Sequence, residues 1–185
     1  MRYNDNITAK PVAASVVAAM DGRHRAEEEN RPMRILFVCL GNICRSPAAE
    51  VVFGALAQKE GVADRFELDS AGFYGGHRGE LPDPRMRMAA AKRGLQLAHR
   101  SRTVTESDFE YFDLIIGMDD ANIDALRRAC PSLEDEKKIV RMTDFACGHP
   151  AATHVPDPYW EGADGFELVL DLLEDSCACL LNLLS

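Results

Sequence analysis

"RILFVCLGNICRSPAAEVVFGALAQKEG", Arg34 to Gly61, holds a strand, a turn and a helix in unbroken succession. Arg34 to Cys39 is a near-continuous apolar run, the pattern of a strand buried on both faces. From Ser46 to about Glu60 the spacing is helical. Ala49, Val52, Phe53 and Leu56 share a face, Pro47 suits the first turn, and Gly61 can end the helix. Leu40 to Arg45 must turn between the two. Gly41 tolerates backbone angles that other residues resist, and Asn42 enters the left-handed region more readily than most.

The alternation continues outward from this unit. "RFELDSAG" reads as a second strand, with Gly72 opening a glycine-rich loop, and Asp83 to Arg93 as a helix closed by Gly94. "DLIIGM" is a third buried strand, Asp120 to Ala129 a helix, and "KKIVRM" a fourth strand. In the last helix Phe166, Val169, Leu170, Leu173, Cys177, Leu180, Leu181 and Leu184 form an apolar stripe, which makes Cys177 a core residue. Asp164 and Glu167 read as its capping box. Strands alternating with helices predict an α/β domain, a four-stranded parallel sheet with helices on both faces. In such folds the site lies at the carboxyl ends of the strands, and Cys39 ends the first one.

The chain has 185 residues, 46% hydrophobic and 28% charged, enough for one domain with a real core. Residues 1–32 differ from the rest: "PVAASVVAAM" is followed by "DGRHRAEEENRP". They read as a disordered or loosely helical extension, with organelle targeting left open, and residues 33–185 as the folded domain. No run of about 18 apolar residues suggests a membrane span. The formal net charge of −9 argues against nucleic acid and anionic membranes as partners. An anionic substrate therefore needs a locally positive site. The six cysteines lack zinc-site spacing and read mostly as reduced thiols in a reducing, cytoplasmic setting, with no partner for Cys179. No metal or other cofactor is expected.

The loop after the first strand favours anions. A turn of this kind can point successive amides inward, the helix starting near Ser46 adds its unpaired N–H groups, and Arg45 offers a planar fork for two phosphate oxygens. A cysteine there is expected as a thiolate, with Ser46 donating to the sulfur. A thiolate beside a phosphate cradle suggests attack on phosphorus and a phosphocysteine. The nucleotide-binding pattern G-x4-G-K-[ST] is absent from this loop.

"VCLGNICRSPAAE" resembles the signature of the low-molecular-weight protein tyrosine phosphatases. The likeness runs from about Met33 to the C-terminus through "SAG" (Ser70–Gly72), "PDPR" (Pro82–Arg85), "FDLIIGMDDAN" (Phe112–Asn122) and "DPYW" (Asp157–Trp160). It implies a small doubly wound domain acting on phosphotyrosine proteins or peptides, as a monomer or weak dimer, inhibited by phosphate and vanadate. It implies Cys39 as nucleophile and Arg45 as the phosphate-binding arginine. Leu40, Gly41, Asn42, Ile43, Cys44 and Ser46 complete the phosphate loop. His99 is implied as support for Asn42, and Asp119 as a structural acid. Asp157, between two prolines, becomes the general acid for a poor phenolate leaving group. Cys44 resembles a second cysteine that traps an oxidised nucleophile as a disulfide.

Phe73, Tyr74, Tyr159 and Trp160 are the candidate pocket wall. Trp160 stands where a second tyrosine is usual. Gly75 and Gly76 stand where a large aromatic residue often closes the opposite wall, which leaves that wall open unless Phe73 or Tyr74 compensates. Other functions remain on this loop. Arsenate reduction needs downstream thiols that Cys130, Cys147, Cys177 and Cys179 do not supply at similar spacing. Arginine phosphatases usually carry threonine where this chain has Ile43, and an apolar residue suits an aryl ring better than a guanidinium. A phosphotyrosine-binding protein without turnover is a further alternative.

Overall fold

The computed structural model describes residues 31–185, so the extension expected over residues 1–32 lies almost wholly outside the described residues. Strands β1 (Met33–Cys39), β2 (Phe66–Gly72), β3 (Leu114–Gly117) and β4 (Ile139–Arg141) form one sheet in the order β2-β1-β3-β4. Every pairing is parallel. The helices are α1 (Arg45–Lys59), α2 (Pro84–Lys92), α3 (Glu106–Tyr111), α4 (Asp120–Ala129), α5 (Leu133–Glu136) and α6 (Ala163–Leu184). This is the doubly wound α/β class expected.

The central strand explains the layers. Ile35, Phe37 and Cys39 of β1 face one core, shared with α1, α2 and α6. Leu36 and Val38 face a second, with Phe109 of α3 and Ile123 and Leu126 of α4. Because side chains alternate along a strand, two covered faces require apolar residues at every position. From β1 the chain crosses to β2 on one side and later returns to β3 on the other. The carboxyl end of β1 is therefore the point where the winding reverses.

Gly61 and Gly94 follow α1 and α2 with φ of +73° and +76°, the left-handed helix ends the sequence suggests. Helices α3 and α5 are too short to show a periodicity, although Thr105 and Asp108 form a capping box at α3. The expected box at α6 is not formed. Gly162 is the cap and Asp164 lies inside the first turn. Glu167 instead accepts from Arg93 at 2.7 Å, a charged partner it does not share with the helix start.

One cysteine reading is corrected. Cys147 and Cys179 are joined in a disulfide with Cα atoms 6.3 Å apart, while Cys39, Cys44, Cys130 and Cys177 are free. The loop after β4 lies on α6 and brings together sulfurs 32 residues apart in sequence, a contact that spacing alone does not reveal. Cys177 is fully buried in the larger core, as its place on the stripe predicts. Among the described residues no helix is long and apolar enough to cross a membrane.

Candidate active site

The loop after β1 is held from outside by its carbonyls. Leu40 C=O accepts from the amides of Phe73 and Tyr74, both at 2.8 Å. Gly41 C=O accepts from Ser101 Oγ at 3.1 Å, and Ile43 C=O from the Asp83 amide at 2.8 Å. In a trans peptide the N–H points opposite to the C=O. The amides of Gly41, Asn42 and Cys44 are thus turned towards the inside of the loop. The Asn42 amide reaches Cys39 Sγ at 3.3 Å. The left-handed residue is Asn42, at φ +54°, rather than Gly41. Gly72 lets β2 end against this loop: a Cβ there would sit 2.6 Å from the Leu40 carbonyl oxygen.

Beneath the loop lies a buried polar network. Ser46 Oγ is 3.1 Å from Cys39 Sγ and 3.3 Å from the Ala71 carbonyl. Asn42 Nδ2 donates to Ser46 Oγ at 2.9 Å and to Ser70 Oγ at 3.0 Å. With that acceptor position filled, the single Ser46 hydrogen is left for the sulfur or the carbonyl. Asn42 Oδ1 accepts from the Arg102 amide at 2.9 Å and from His99 Nε2 at 3.1 Å.

Glu50 is a member of this network that the sequence does not single out. Its Oε2 accepts from Ser70 Oγ at 2.7 Å and lies 3.3 Å from His99 Nδ1. Burial pushes the Glu50 carboxyl up to about 7, with Asp69 adding to the rise against the Ser70 bond and Arg102. Burial also pushes His99 down, with Arg102 helping and Asp69 opposing. Neutral His99 spends its one hydrogen on Asn42. Its Nδ1 lone pair then faces Glu50, the carboxyl best able to hold a proton there. Glu50, Asp69 and His99 are also close enough together to surround a cation. Their hydrogen bonds and ion pairs already account for that proximity.

Arg45 joins the loop to two acids. Its Nη1 bonds Asp119 Oδ2 at 2.6 Å and the Val155 carbonyl at 3.2 Å, and its Nη2 bonds Asp157 Oδ2 at 2.9 Å. Burial opposes the Arg45 charge. The neighbouring Cys39 and Asp157 and the bond to Asp119 outweigh it and hold the pKa above its ordinary value. Asp119 also caps α4 through the Asn122 amide at 2.7 Å, which fixes its direction. Asp157 Oδ1 accepts from the Tyr159 amide at 3.1 Å. A tetrahedral oxyanion at the loop would compete with Asp157 for Arg45 Nη2. Cys44 precedes α1 and is buried, and burial first, then Asp83, Cys39 and Asp157, push its thiol up.

Cys39, the loop, Arg45 and Asp157 open into one cavity of about 370 Å³, lined also by Tyr74, His77, Tyr159 and Trp160, with the His77 and Tyr159 rings 6.4 Å apart. Phe73 does not belong to this wall. It packs against the core on the far face of the sheet, because adjacent residues of an extended chain point in opposite directions. Nor do the paired glycines leave the wall open. A Cβ on Gly76 would lie 2.4 Å from the Tyr74 ring, so the ring occupies that space. His77 is absent from the residues the sequence singles out. It stacks edge-on with Tyr74 at 5.4 Å and pairs with Glu80 at 2.8 Å. Tyr159 is backed by the Arg85 guanidinium at 5.4 Å, and Trp160 is 89% exposed at the rim.

A parallel sheet with a cysteine, a loop of inward amides and an arginine at its winding reversal defines an α/β domain with a site suited to a tetrahedral oxyanion. Comparison with known proteins makes the family specific. The sequence profile of the family "Low molecular weight phosphotyrosine protein phosphatase" matches residues 34–185. A low molecular weight protein-tyrosine-phosphatase of Streptomyces coelicolor is 41% identical over 152 residues, covering 80% of this chain and 91% of the relative. The crystal structure of a protein tyrosine phosphatase from Entamoeba histolytica with Hepes in its active site superposes with a TM-score of 0.79 at 45% identity, covering 81% and 95% of the two chains. The Drosophila arginine phosphatase superposes with a TM-score of 0.75 at 31% identity, covering 81% and 96%. The chain belongs to the low molecular weight phosphotyrosine protein phosphatase family.

Proposed function

We propose that this chain hydrolyses phosphotyrosine in proteins and peptides, and small aryl phosphates, through a phosphocysteine on Cys39. The observation that carries the reading is Cys39 Sγ. It receives the Asn42 amide at 3.3 Å and lies 3.1 Å from Ser46 Oγ, in a cavity lined also by aromatic side chains. The thiolate attacks phosphorus. The inward amides and Arg45 hold the non-bridging oxygens as charge shifts to the leaving oxygen. Asp157 gives that oxygen its proton, then takes one from the water that hydrolyses the phosphocysteine.

The substrate class follows from the walls. Tyr74 and Tyr159 line the cavity with rings able to meet an aryl group, and Ile43 adds an apolar contact. An arginine phosphatase is among the structural neighbours, so a phosphoarginine arm belongs in the test. Turnover is measured on phosphotyrosine, phosphoserine and phosphoarginine peptides, with vanadate as competitor. Selective, vanadate-sensitive hydrolysis of phosphotyrosine is expected. Preference for phosphoarginine, or binding without turnover, rejects the reading. Cys44 is proposed as a redox partner: peroxide converts the Cys39 thiolate to a sulfenic acid, and the Cys44 thiol displaces water from it to form a disulfide.

A further inference from the structure

The segment that carries Asp157 is fastened at both ends. At its start Cys147 is bonded to Cys179 of α6. The next amide, of Gly148, donates to both carboxylate oxygens of Asp175, at 2.9 and 3.0 Å, and His149 Nδ1 lies 3.0 Å from Asp175 Oδ2. Asp175 and Cys179 are neighbours on one helix face, four residues apart. Asp175 is only 7% exposed, so its carboxylate depends on these partners. A Cβ on Gly148 would stand 2.8 Å from Asp175 Oδ1, which reserves that position for glycine. At the other end the Val155 amide donates to Met118 C=O at 2.8 Å, and Val155 C=O accepts from Arg45. Pro156 and Pro158 stiffen the backbone around Asp157.

We propose that the Cys147–Cys179 disulfide and Asp175 form a clamp that positions Asp157 for proton transfer, so that reducing the disulfide weakens acid catalysis and leaves the nucleophile intact. The proposal rests on the phosphatase reading above. Asp175 and the disulfide are positioning groups, with no contact to the substrate. Their redox demand is opposite to that of Cys39, which acts only when reduced. A dithiol opens the clamp by thiolate attack on one sulfur, releasing the other as a thiol. Its second thiolate then closes on the mixed disulfide. Two electrons and two protons pass to Cys147 and Cys179, and the reductant leaves as its own disulfide.

The test uses the full chain with Cys147→Ser, Cys179→Ser and Asp175→Asn, each assayed on phenyl phosphate and on an ester with a much more acidic leaving group. Amide hydrogen exchange is followed over residues 148–157. A positioned acid supplies about 10²–10⁴ in rate, and a loosened one should lose part of that: roughly 5–20-fold in kcat/KM on phenyl phosphate and under about 2-fold on the activated ester. The parent treated with dithiol should shift in the same way, and Cys147→Ser should not respond to dithiol. Exchange at Gly148 should accelerate in all three variants. Equal losses on both esters, unchanged exchange, or six free thiols in place of four by intact mass in the unreduced parent would each overturn the clamp. A parent that hydrolyses neither ester would refute the phosphatase reading instead, and the exchange result would still decide the clamp.

Discussion

Asp157 is 41% exposed at its side chain, bonded to Arg45, and lines the same cavity as Cys39. A phenolate leaves poorly because tyrosine titrates near 10, so the acid matters most for that substrate. Asp157→Ala is expected to lose about 10²–10⁴ in kcat/KM on phosphotyrosine and far less on an ester with a good leaving group. Equal losses measured on the two would remove Asp157 from the proton-transfer step. Cys44 makes a separate prediction. Peroxide inactivation of the parent should reverse with reductant, whereas Cys44→Ala should become largely irreversible as Cys39 oxidises further. Equal recovery of activity in both proteins would exclude the trapping role. These residues differ in how they show in the sequence. Cys39, Asn42, Arg45 and Ser46 are readable from one stretch because a strand end, a turn and a helix start are local features. Asp157 is an ordinary turn aspartate on its own and becomes legible only through the DPYW resemblance. Glu50 carries no local signal, since its partners arrive from β2 and the His99 loop, and His77 lies three residues from both Tyr74 and Glu80 with no pattern that marks the group as a wall.

At the scale of elements, two glycines separate rigid from adaptable contacts. Gly72 ends β2 against the backbone of the phosphate loop, with the Leu40 carbonyl oxygen 2.6 Å from where a Cβ would stand. Neither strand nor loop can yield without breaking its hydrogen bonds. Gly72→Ala is therefore expected to lower stability by about 1–3 kcal/mol in urea unfolding and to depress kcat with it. Gly76 faces the ring of Tyr74, a side chain 56% exposed and free to swing away. Gly76→Ala should leave stability within about 0.5 kcal/mol and raise KM for aryl phosphates by displacing the wall. Stability loss without a KM change would mean that Tyr74 is not a wall. The strands and the long helices were legible because their burial imposes periods of two and 3.6 residues. Helices α3 and α5 were not, being shorter than the windows in which a period emerges. Phe73 falls outside the wall because it and Tyr74 alternate on extended backbone, and the sequence alone does not show which of the two meets the core.

For the whole molecule, the network under the loop ties α1, β2 and the His99 segment into one titrating unit. The Glu50 carboxyl moves from 4.5 to about 7 on folding. Folded protein thus binds this proton more tightly than the unfolded chain. The stabilisation is full below about 4.5 and is lost as pH rises through about 7. Glu50→Gln keeps a neutral side chain throughout, so it should gain on the parent by about 1–3 kcal/mol between about pH 5 and about pH 8. Urea midpoints at the two pH values check this, and parallel pH profiles would contradict it. The Cys147–Cys179 bridge belongs to this scale as well. It joins distant parts of the chain, and no spacing rule marks it. The central claim is that Cys39 carries the phosphoryl group. Its most direct test is rapid acid quench of Asp157→Ala with labelled aryl phosphate, followed by peptide mapping. Phosphate on the peptide containing Cys39, absent in Cys39→Ser, is the predicted result; turnover with no label on that peptide would contradict it.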